Sequence, residues 1–413
     1  MPEPVADHVR RARIVAESDE LHERLIAIRR DIHAHPEVGN AEHRTTARVI
    51  EVLESCGLVA KVLPIGTGAW CDVLPYGYEE QGEGLVGLRA DLDALPIPDG
   101  SAVDFASRVP GVAHACGHDV HTTIVLGVGM VLARLREEGL LTRGVRLIFQ
   151  PAEETSPGGA VDAIDGGVLT DLSEVYALHC DPRTDAGQIA LKVGPVTSAV
   201  SQISVTLTGT GGHTSRPHLT QDVVAALGTL VTQTQLVLSR RVDPRSGVSM
   251  MWGKITAGSA PNAIPSSGQV LGTLRALTTP GWDQAKAMLP ELVTQLVAPF
   301  GVDARIAINE GTPPAVNAQS GIDRLAAAGE AMLGPDGVTA TEQSLGGEDF
   351  SWMLRQVPGA MARLGVRTAG SATWPDIHHP SFRVDESCIA VGVKVLADVA
   401  SSRAGEPAPA VLV

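Results

Sequence analysis

The spacing of apolar side chains changes character along this chain, and the changes mark out its elements. Leu21, Leu25, Ile28 and Ile32 recur three to four residues apart, the period of one helix face. Ser18 stands where an N-cap is needed, and Asp19 and Glu20 follow it, as the positive end of a helix favours. The pattern predicts a first helix that starts at Ser18. A second helix is predicted over 42–55, closed by Gly57 as a C-cap. Leu85–Ala90, Val145–Gln150 and Val175–Cys180 are short apolar runs that predict buried strands. From Asp119 onward, Ile124, Val128, Val131, Leu132 and Leu135 predict an apolar helix. Strands alternating with helices predict a layered α/β domain.

Past Gly194 the period shifts to two. Across Gln202–Thr210, Ile203, Val205 and Leu207 alternate with polar residues, as in a strand with one buried face. A helix over 220–237, strands over 249–256 and 269–277, a helix over 283–297 and a strand over 304–309 are predicted next. This β-α-β-β-α-β order is the ferredoxin-like plan. Its half-polar strands predict an open sheet with helices on one face. After Glu310 the α/β character resumes. The reading is a domain of residues 197–310 inserted into a larger one made of 1–196 and 311–413.

Composition narrows the classes. At 413 residues the chain exceeds the usual single-domain size, in keeping with two domains. Lys plus Arg number 32 against 47 Asp plus Glu, a formal charge of −15. That balance argues against a nucleic-acid or membrane partner, because phosphate recognition needs clustered positive charge. Aromatics make up only 3%, so the core must be built from Ala, Val, Leu and Ile. Five cysteines, an odd number, make no disulfide framework. The N-terminus lacks an apolar stretch of signal-peptide length, and no apolar run reaches membrane-spanning length. A cytoplasmic location is the expectation. The Pro/Ala-rich tail from Ser401 is expected to fray.

Candidate chemistry gathers where the predicted strands end. His114-Ala-Cys116-Gly-His118-Asp119-Val-His121 lies at the mouth of the apolar helix. A thiolate and an imidazole two positions apart suit a borderline-soft divalent cation, and a helix N-terminus helps keep the sulfur deprotonated. The competing reading is a surface-loop histidine cluster with a buried cysteine. Phe149-Gln150-Pro151-Ala152-Glu153-Glu154 follows a second strand. Adjacent carboxylates are commonly solvated surface charge, but α/β sheets place ligands at the C-terminal ends of their strands. Neighbouring side chains diverge, so a division into one ligand and one base is natural. Leu178-His179 ends a third predicted strand, Asp91-Leu-Asp93 follows the first, and Ile377-His378-His379-Pro380 supplies two more imidazoles. Together these residue types match a metal-hydrolase site. A Cys/His nucleophile enzyme would leave the carboxylates without a task, and nothing near Cys116 marks an oxyanion hole.

These motifs resemble, in combination, the cocatalytic metallopeptidase family of aminoacylases, carboxypeptidase G-type enzymes and hippurate hydrolase. The resemblance runs from about Leu21 to Asp398 and is carried by Arg89-Ala-Asp-Leu-Asp-Ala-Leu-Pro96, His114–Asp119, Phe149–Glu154, Gly212-His-Thr-Ser-Arg-Pro-His218, Asn262-Ala-Ile-Pro265, Gly346-Gly-Glu-Asp-Phe350 and His378-His-Pro380. It points most closely to the hippurate, N-acyl-amino-acid and indole-acetyl-amino-acid amidohydrolases. It implies a zinc-peptidase-like α/β/α catalytic domain carrying an inserted ferredoxin-like lid or dimerisation domain.

Carried over residue by residue, the resemblance implies metal ligands at Cys116, His118, Glu154, His179 and His378. His378 is chosen over His379 because the family's histidine stands two residues before the proline. Glu153 matches the general base, and Asp93 the carboxylate that orients a ligand or the base. Asp91 stands where other branches carry a histidine, which leaves it either a ligand or a hydrogen-bonded carboxylate behind one. His213 matches a histidine that reaches the other subunit's active site in related dimers. Asn262, Arg275 and Gly347 fall at substrate-contacting positions, although Arg275 also reads as a solvated charge on an alternating strand. Cys180 and Asp181 after His179, and Thr155–Gly159 after Glu154, depart from the commonest versions. They imply altered substrate fit with the ligand set intact.

The implied activity is metal-dependent hydrolysis of the amide in an N-acyl amino acid or similar small conjugate. Two divalent ions (Zn, Mn, Co or Ni) are the implied cofactors. A homodimer or homotetramer built through the inserted domain is the implied assembly. The alternatives are a dipeptidase or carboxypeptidase acting on small peptides, a metal- or ligand-binding homologue without turnover, and an interaction module in which the inserted domain mainly serves dimerisation. Retention of both Glu153 and the ligand set argues against a pure binder, which has no use for the base.

Overall fold

The computed structural model describes residues 4–78, 84–156 and 158–402. The tail beyond 402, for which fraying is expected, lies outside them, as does Pro157. The chain divides into two compact units. Among the described residues, those up to Gly194, Val316–Glu342 and those from Trp352 to Ser402 form the first, and Pro195–Ala315 with Gln343–Ser351 form the second. The second unit therefore includes a short excursion, with Gly347 in it, that the sequence reading leaves in the larger domain. Ser198 Oγ donates to the carbonyl of Leu345 at 2.7 Å and its N–H to that of Gly346 at 3.0 Å. Apolar periodicity is blind to such long-range ties.

In chain order the first segment contains α1 (Pro4–Ala34), α2 (His43–Glu54), β1 (Lys61–Val62), β2 (Ala69–Val73), β3 (Leu85–Asp91), α3 (His118–Glu137), β4 (Val145–Gln150), α4 (Gly159–Asp165), β5 (Leu172–Asp185) and β6 (Ile189–Leu191). After β7 (Gly194–Pro195) come β8 (Ala199–Thr208), β9 (Gly212–His213), α5 (Val223–Arg241), β10 (Ser249–Ala257), β11 (Ala263–Ile264), β12 (Ser267–Ala276), α6 (Thr279–Val297) and β13 (Asp303–Ile308). The return brings β14 (Val316–Asn317), α7 (Gln319–Leu333), β15 (Val338–Ala340), α8 (Ser351–Leu354), β16 (Gly359–Arg367) and α9 (Cys388–Ser401).

The first unit is built on an eight-stranded sheet in the order β1-β2-β4-β3-β5-β16-β6-β15. Its centre, β4-β3-β5-β16, is parallel. β3 and β4 are buried at every position, which requires both faces of the sheet to be covered. α1, α3 and α9 pack on one another, and α3 lies against β2 through β5. The core is aliphatic, as the low aromatic content demands, with Leu25, Val128, Leu147, Val393 and Leu396 fully buried.

Two elements differ from their predicted limits. α1 begins at Pro4 rather than at Ser18. Ser18 is buried within the helix, and its hydroxyl donates to the Ile14 carbonyl at 2.7 Å. The early turns escape the apolar pattern because a buried position there is polar: Arg10, only 4% exposed, meets Asp398 at 2.7 Å. β5 runs past His179 to Asp185, since its pairing with β16 continues through Asp181 and Asp185. His179 thus sits inside a strand and not at its end, under a polar run that hides the continuation.

The second unit has a four-stranded antiparallel sheet in the order β10-β12-β8-β13. Numbered along the chain these strands run 2-3-1-4, the ferredoxin-like arrangement. α5 and α6 pack against this sheet, and Trp282, Leu230 and Leu289 are fully buried beneath them. α6 starts a turn earlier than predicted, where Thr278 accepts the Gly281 N–H at 3.3 Å as its cap. Among the described residues no helix is long and apolar enough to cross a membrane.

Candidate active site

The parallel strands β3 and β4 end side by side at Asp91 and Gln150, so the loops that follow leave one edge of the sheet. Asp91 is fully buried. One of its oxygens accepts from Arg89 at 2.6 Å, and the other lies 2.6 Å from His121 Nδ1. His121 Nε2 accepts the backbone N–H of Cys180 at 2.9 Å, so the ring proton sits on Nδ1 and is donated to Asp91. Both carboxylate oxygens are thus engaged by the protein. Burial alone would raise the Asp91 pKa, but His118, His121 and Arg89 hold it well below the usual range.

The next residue group is set by tautomer. His179 Nδ1 lies 2.8 Å from the Cys180 carbonyl, to which only a protonated nitrogen can donate. Its Nε2 therefore carries the lone pair, 3.6 Å from Cys116 Sγ. Burial first, then Arg363 and His121, keeps this imidazole neutral. Gly117 separates Cys116 from His118 in a left-handed conformation with φ 88°, and a Cβ there would lie 2.6 Å from Cys180 Sγ. Only glycine meets both conditions.

Cys116, His118 and Glu154 each offer a donor atom, and these atoms lie within 4.8 Å of one another. Neither nitrogen of the buried His118 makes an aligned hydrogen bond, although Nδ1 lies 3.4 Å from Asp93 Oδ1, and Glu154 Oε1 makes none either. His378 Nε2 comes within 3.0 Å of Glu154 Oε1, close but without hydrogen-bond alignment. His378 has a positive φ of 64° and is tied through its N–H to the Ala115 carbonyl at 2.7 Å. His379 instead turns Nδ1 to the Ser381 N–H at 3.1 Å.

The two glutamates are aimed by their backbone. Asp93 accepts the N–H of Glu153 at 3.0 Å on one oxygen and that of Glu154 at 2.9 Å on the other. Glu42 Oε1 accepts the N–H of Ala152 at 2.7 Å. Glu154 points to Cys116 and His378, whereas Glu153 Oε2 lies 4.0 Å from His118 Nε2.

This set fits a divalent cation. Burial, then Glu154, Glu153 and Asp91, pushes the Cys116 thiol well above its ordinary pKa. The sequence reading expects a helix N-terminus to keep this sulfur ionised; burial and the carboxylates outweigh it, so the thiolate needs a cation beside it. Burial opposes protonation of His118, yet Asp91, Asp93 and Glu154 raise it to about 10. A site that draws a proton this strongly is one that a metal ion would occupy with the same sign of charge. Thiolate, imidazole and carboxylate donors together suit a borderline-soft ion.

The second unit holds the remaining candidates. β9 pairs with β11, which sets His213 opposite Ala263, and the Thr214 N–H donates to the Asn262 carbonyl at 3.2 Å. His213 and Asn262 thus share one exposed ribbon. His213 Nδ1 accepts the Ser215 N–H at 3.1 Å, which places its proton on Nε2. Arg275 donates to the Leu345 carbonyl at 2.6 Å, which joins it to the loop carrying Gly347.

Neither Glu42 nor the task of His121 is apparent from the sequence pattern. His121 lies inside the quoted cluster at the i+3 position from His118, which was a usable signal. Glu42 offers none, since a glutamate before a helix is commonplace.

Sulfur, imidazole and carboxylate donors grouped at the C-terminal edge of a mostly parallel sheet, with a further carboxylate alongside, define a metal-dependent hydrolase. Residues 87–402 match the model of peptidase family M20/M25/M40, and the chain belongs to that family. A Rhodococcus jostii protein provisionally named glutamate–cysteine ligase 2-3 is 46% identical over 381 residues, 92% of this chain. The chain spans only 47% of that relative's length. The N-acetyl-L-cysteine deacetylase of Bacillus subtilis is 34% identical over 89% of this chain and 85% of its own. Among solved structures, a Bacillus subtilis protein described as a dinuclear metal binding peptidase from the M20 family superposes with a TM-score of 0.79 at 30% identity, covering 93% of this chain and 98% of that one.

Proposed function

We propose that the chain hydrolyses the amide bond of N-acyl amino acids, with Cys116, His118, Glu154, His179 and His378 holding two divalent ions. The observation that carries this reading is the convergence of Cys116, His118 and Glu154 donor atoms within 4.8 Å, beside Glu153. The similarity to a deacetylase of N-acetyl-L-cysteine makes N-acetylated amino acids the first substrates to try, that compound among them.

When bound, the ions polarise the scissile carbonyl and lower the pKa of the attacking water. Glu153 takes the water's proton on its carboxylate and returns it to the departing nitrogen. Asp93 holds the backbone of both glutamates so that base and ligand face different ways. Asp91, engaged by Arg89 and His121, serves as an orienting carboxylate behind the site. His213, through its Nε2 proton, and Asn262 donate to the oxyanion of the tetrahedral intermediate. Arg275 and Gly347 bind the free carboxylate of the amino acid; the Arg275 contact to Leu345 leaves other guanidinium N–H groups for that task. The assembly is a homodimer or homotetramer through the second unit. The compartment is the reducing cytoplasm, in keeping with five unpaired cysteines.

A panel of N-acyl amino acids incubated with Mn²⁺- or Zn²⁺-loaded protein, with released amine as readout, tests the reading. Release of the free amino acid is expected. Cleavage of dipeptides alone would make the protein a peptidase, and no release from either class would refute turnover.

A further inference from the structure

We propose that Glu42 is a positioning residue for the Glu153–Glu154 pair, acting through the backbone of Ala152. This rests on the reading of that pair as base and ligand. Glu42 lies just ahead of α2, is fully buried, and reaches across the fold to accept the Ala152 N–H at 2.7 Å. Its second oxygen is also buried and makes no aligned hydrogen bond, although the backbone N–H groups of Asn40 and Glu42 itself lie near the carboxylate. A carboxylate so placed is costly to bury, and an apolar side chain would serve mere packing better.

What Glu42 holds is an uncommon turn. Ala152 has a φ of 57°, in the left-handed region that a side chain disfavours. Such a conformation persists only where its surroundings over-determine it. Here Gly159 donates to the Ala152 carbonyl at 2.9 Å and the Thr155 hydroxyl at 3.0 Å, while Glu42 takes the N–H. The next two amides, of Glu153 and Glu154, go to Asp93. Three successive N–H groups are therefore spent on two buried carboxylates, an arrangement that elsewhere cradles anions. The segment leading to Glu42 presses on the same turn: a Cβ on Gly39 would lie 2.5 Å from Thr155 Cγ2 and 3.2 Å from Ala152 Cα. Asp93 fixes the two glutamates, and Glu42 fixes the residue from which both are launched.

The test compares Glu42→Ala, Glu42→Asp and Glu42→Gln with Glu154→Ala. Zn²⁺ affinity by chelator competition, the absorption bands of the Co²⁺-substituted protein, and kcat and KM on whichever N-acyl amino acid is turned over are the readouts. Glu42→Ala and Glu42→Asp, which withdraw the acceptor, are expected to weaken metal affinity by about 10- to 100-fold, as loss of an outer partner typically does. They should also alter the Co²⁺ bands and lower kcat more than they raise KM. Glu42→Gln keeps an acceptor oxygen and is expected to restore affinity and spectrum to within about threefold of the parent, well inside that 10- to 100-fold range. Glu42→Asp carries the comparison if the alanine variant does not fold. Unchanged affinity, spectrum and kcat in the shortened variants, whatever happens to their melting temperature, would overturn the proposal. Full metal retention by Glu154→Ala would instead show that the reading of the pair has failed.

Discussion

Nε2 of His179 stands 3.6 Å from Sγ of Cys116, and it is free to offer a lone pair because Nδ1 of the same ring is committed to the Cys180 carbonyl. On the proposed reading the two atoms would ligate metal together, with the tautomer dictated by the backbone. Cys116→Ala should therefore lower bound metal after dialysis to less than half that of the parent. Metal analysis of the two proteins, prepared together, makes the comparison. Full occupancy and full activity in the variant would leave Cys116 a buried packing residue.

Glu153 and Glu154 are neighbours in sequence with different surroundings, and the difference predicts different losses. Glu153→Gln should lower kcat by about 10²–10⁴-fold, the usual worth of a positioned base, with metal content unchanged. Glu154→Gln should lose metal as well. If Glu153→Gln keeps more than a tenth of the parent kcat, another group is the base.

Much of this was legible in the sequence because the strands and helices carry clear apolar periods and the donor-rich motifs stand next to their ends. The alternation at Ile203, Val205 and Leu207 marked β8 as half-buried, and the ferredoxin-like order followed from it. The Cys116–His121 cluster announced itself by density of donors. What stayed hidden depends on contacts between distant segments. The Arg10–Asp398 pair extends α1 without leaving an apolar period. Glu42 meets Ala152 across most of the first unit's N-terminal half. The Gln343–Ser351 excursion is tied to the rest of the second unit by Ser198, Arg275 and Gln343 side chains donating to backbone carbonyls, contacts between distant segments that no apolar period encodes.

The hidden start of α1 carries its own test. Asp398 receives Arg10 at 2.7 Å and Arg11 at 3.1 Å, and the Asp398 and Arg10 side chains are 2% and 5% exposed. Removing Asp398 takes away the buried partner of Arg10 and leaves it the partly exposed Asp7, whose Oδ1 accepts from Arg10 Nε at 3.0 Å. Asp398→Ala is thus expected to destabilise the protein, by less than the roughly 3–5 kcal/mol of a fully uncompensated buried charge but by more than about 1 kcal/mol, read as a lower urea midpoint. A change below about 1 kcal/mol, the range of exposed pairs, would mean that Asp7 or water compensates Arg10 in full.

The last prediction concerns His213, whose Nδ1 is occupied by the Ser215 N–H and whose Nε2 proton is therefore the one on offer. The ring is exposed on the β9–β11 ribbon, behind Gly211 and Gly212 with φ of 64° and 146°. As a donor to a developing oxyanion it should matter in the transition state far more than in substrate binding. His213→Ala is expected to lower kcat by about 10²–10³-fold while leaving metal content and KM little changed. If the histidine serves the neighbouring subunit, mixing His213→Ala with Glu153→Gln creates heterodimers in which one site has both residues intact. Activity should then rise well above that of either variant alone, toward half the parent value per reconstituted heterodimer. Mass spectrometry of differently tagged subunits verifies that exchange has taken place. Exchange without any gain in activity would mean that His213 acts within its own chain or takes no part in the reaction.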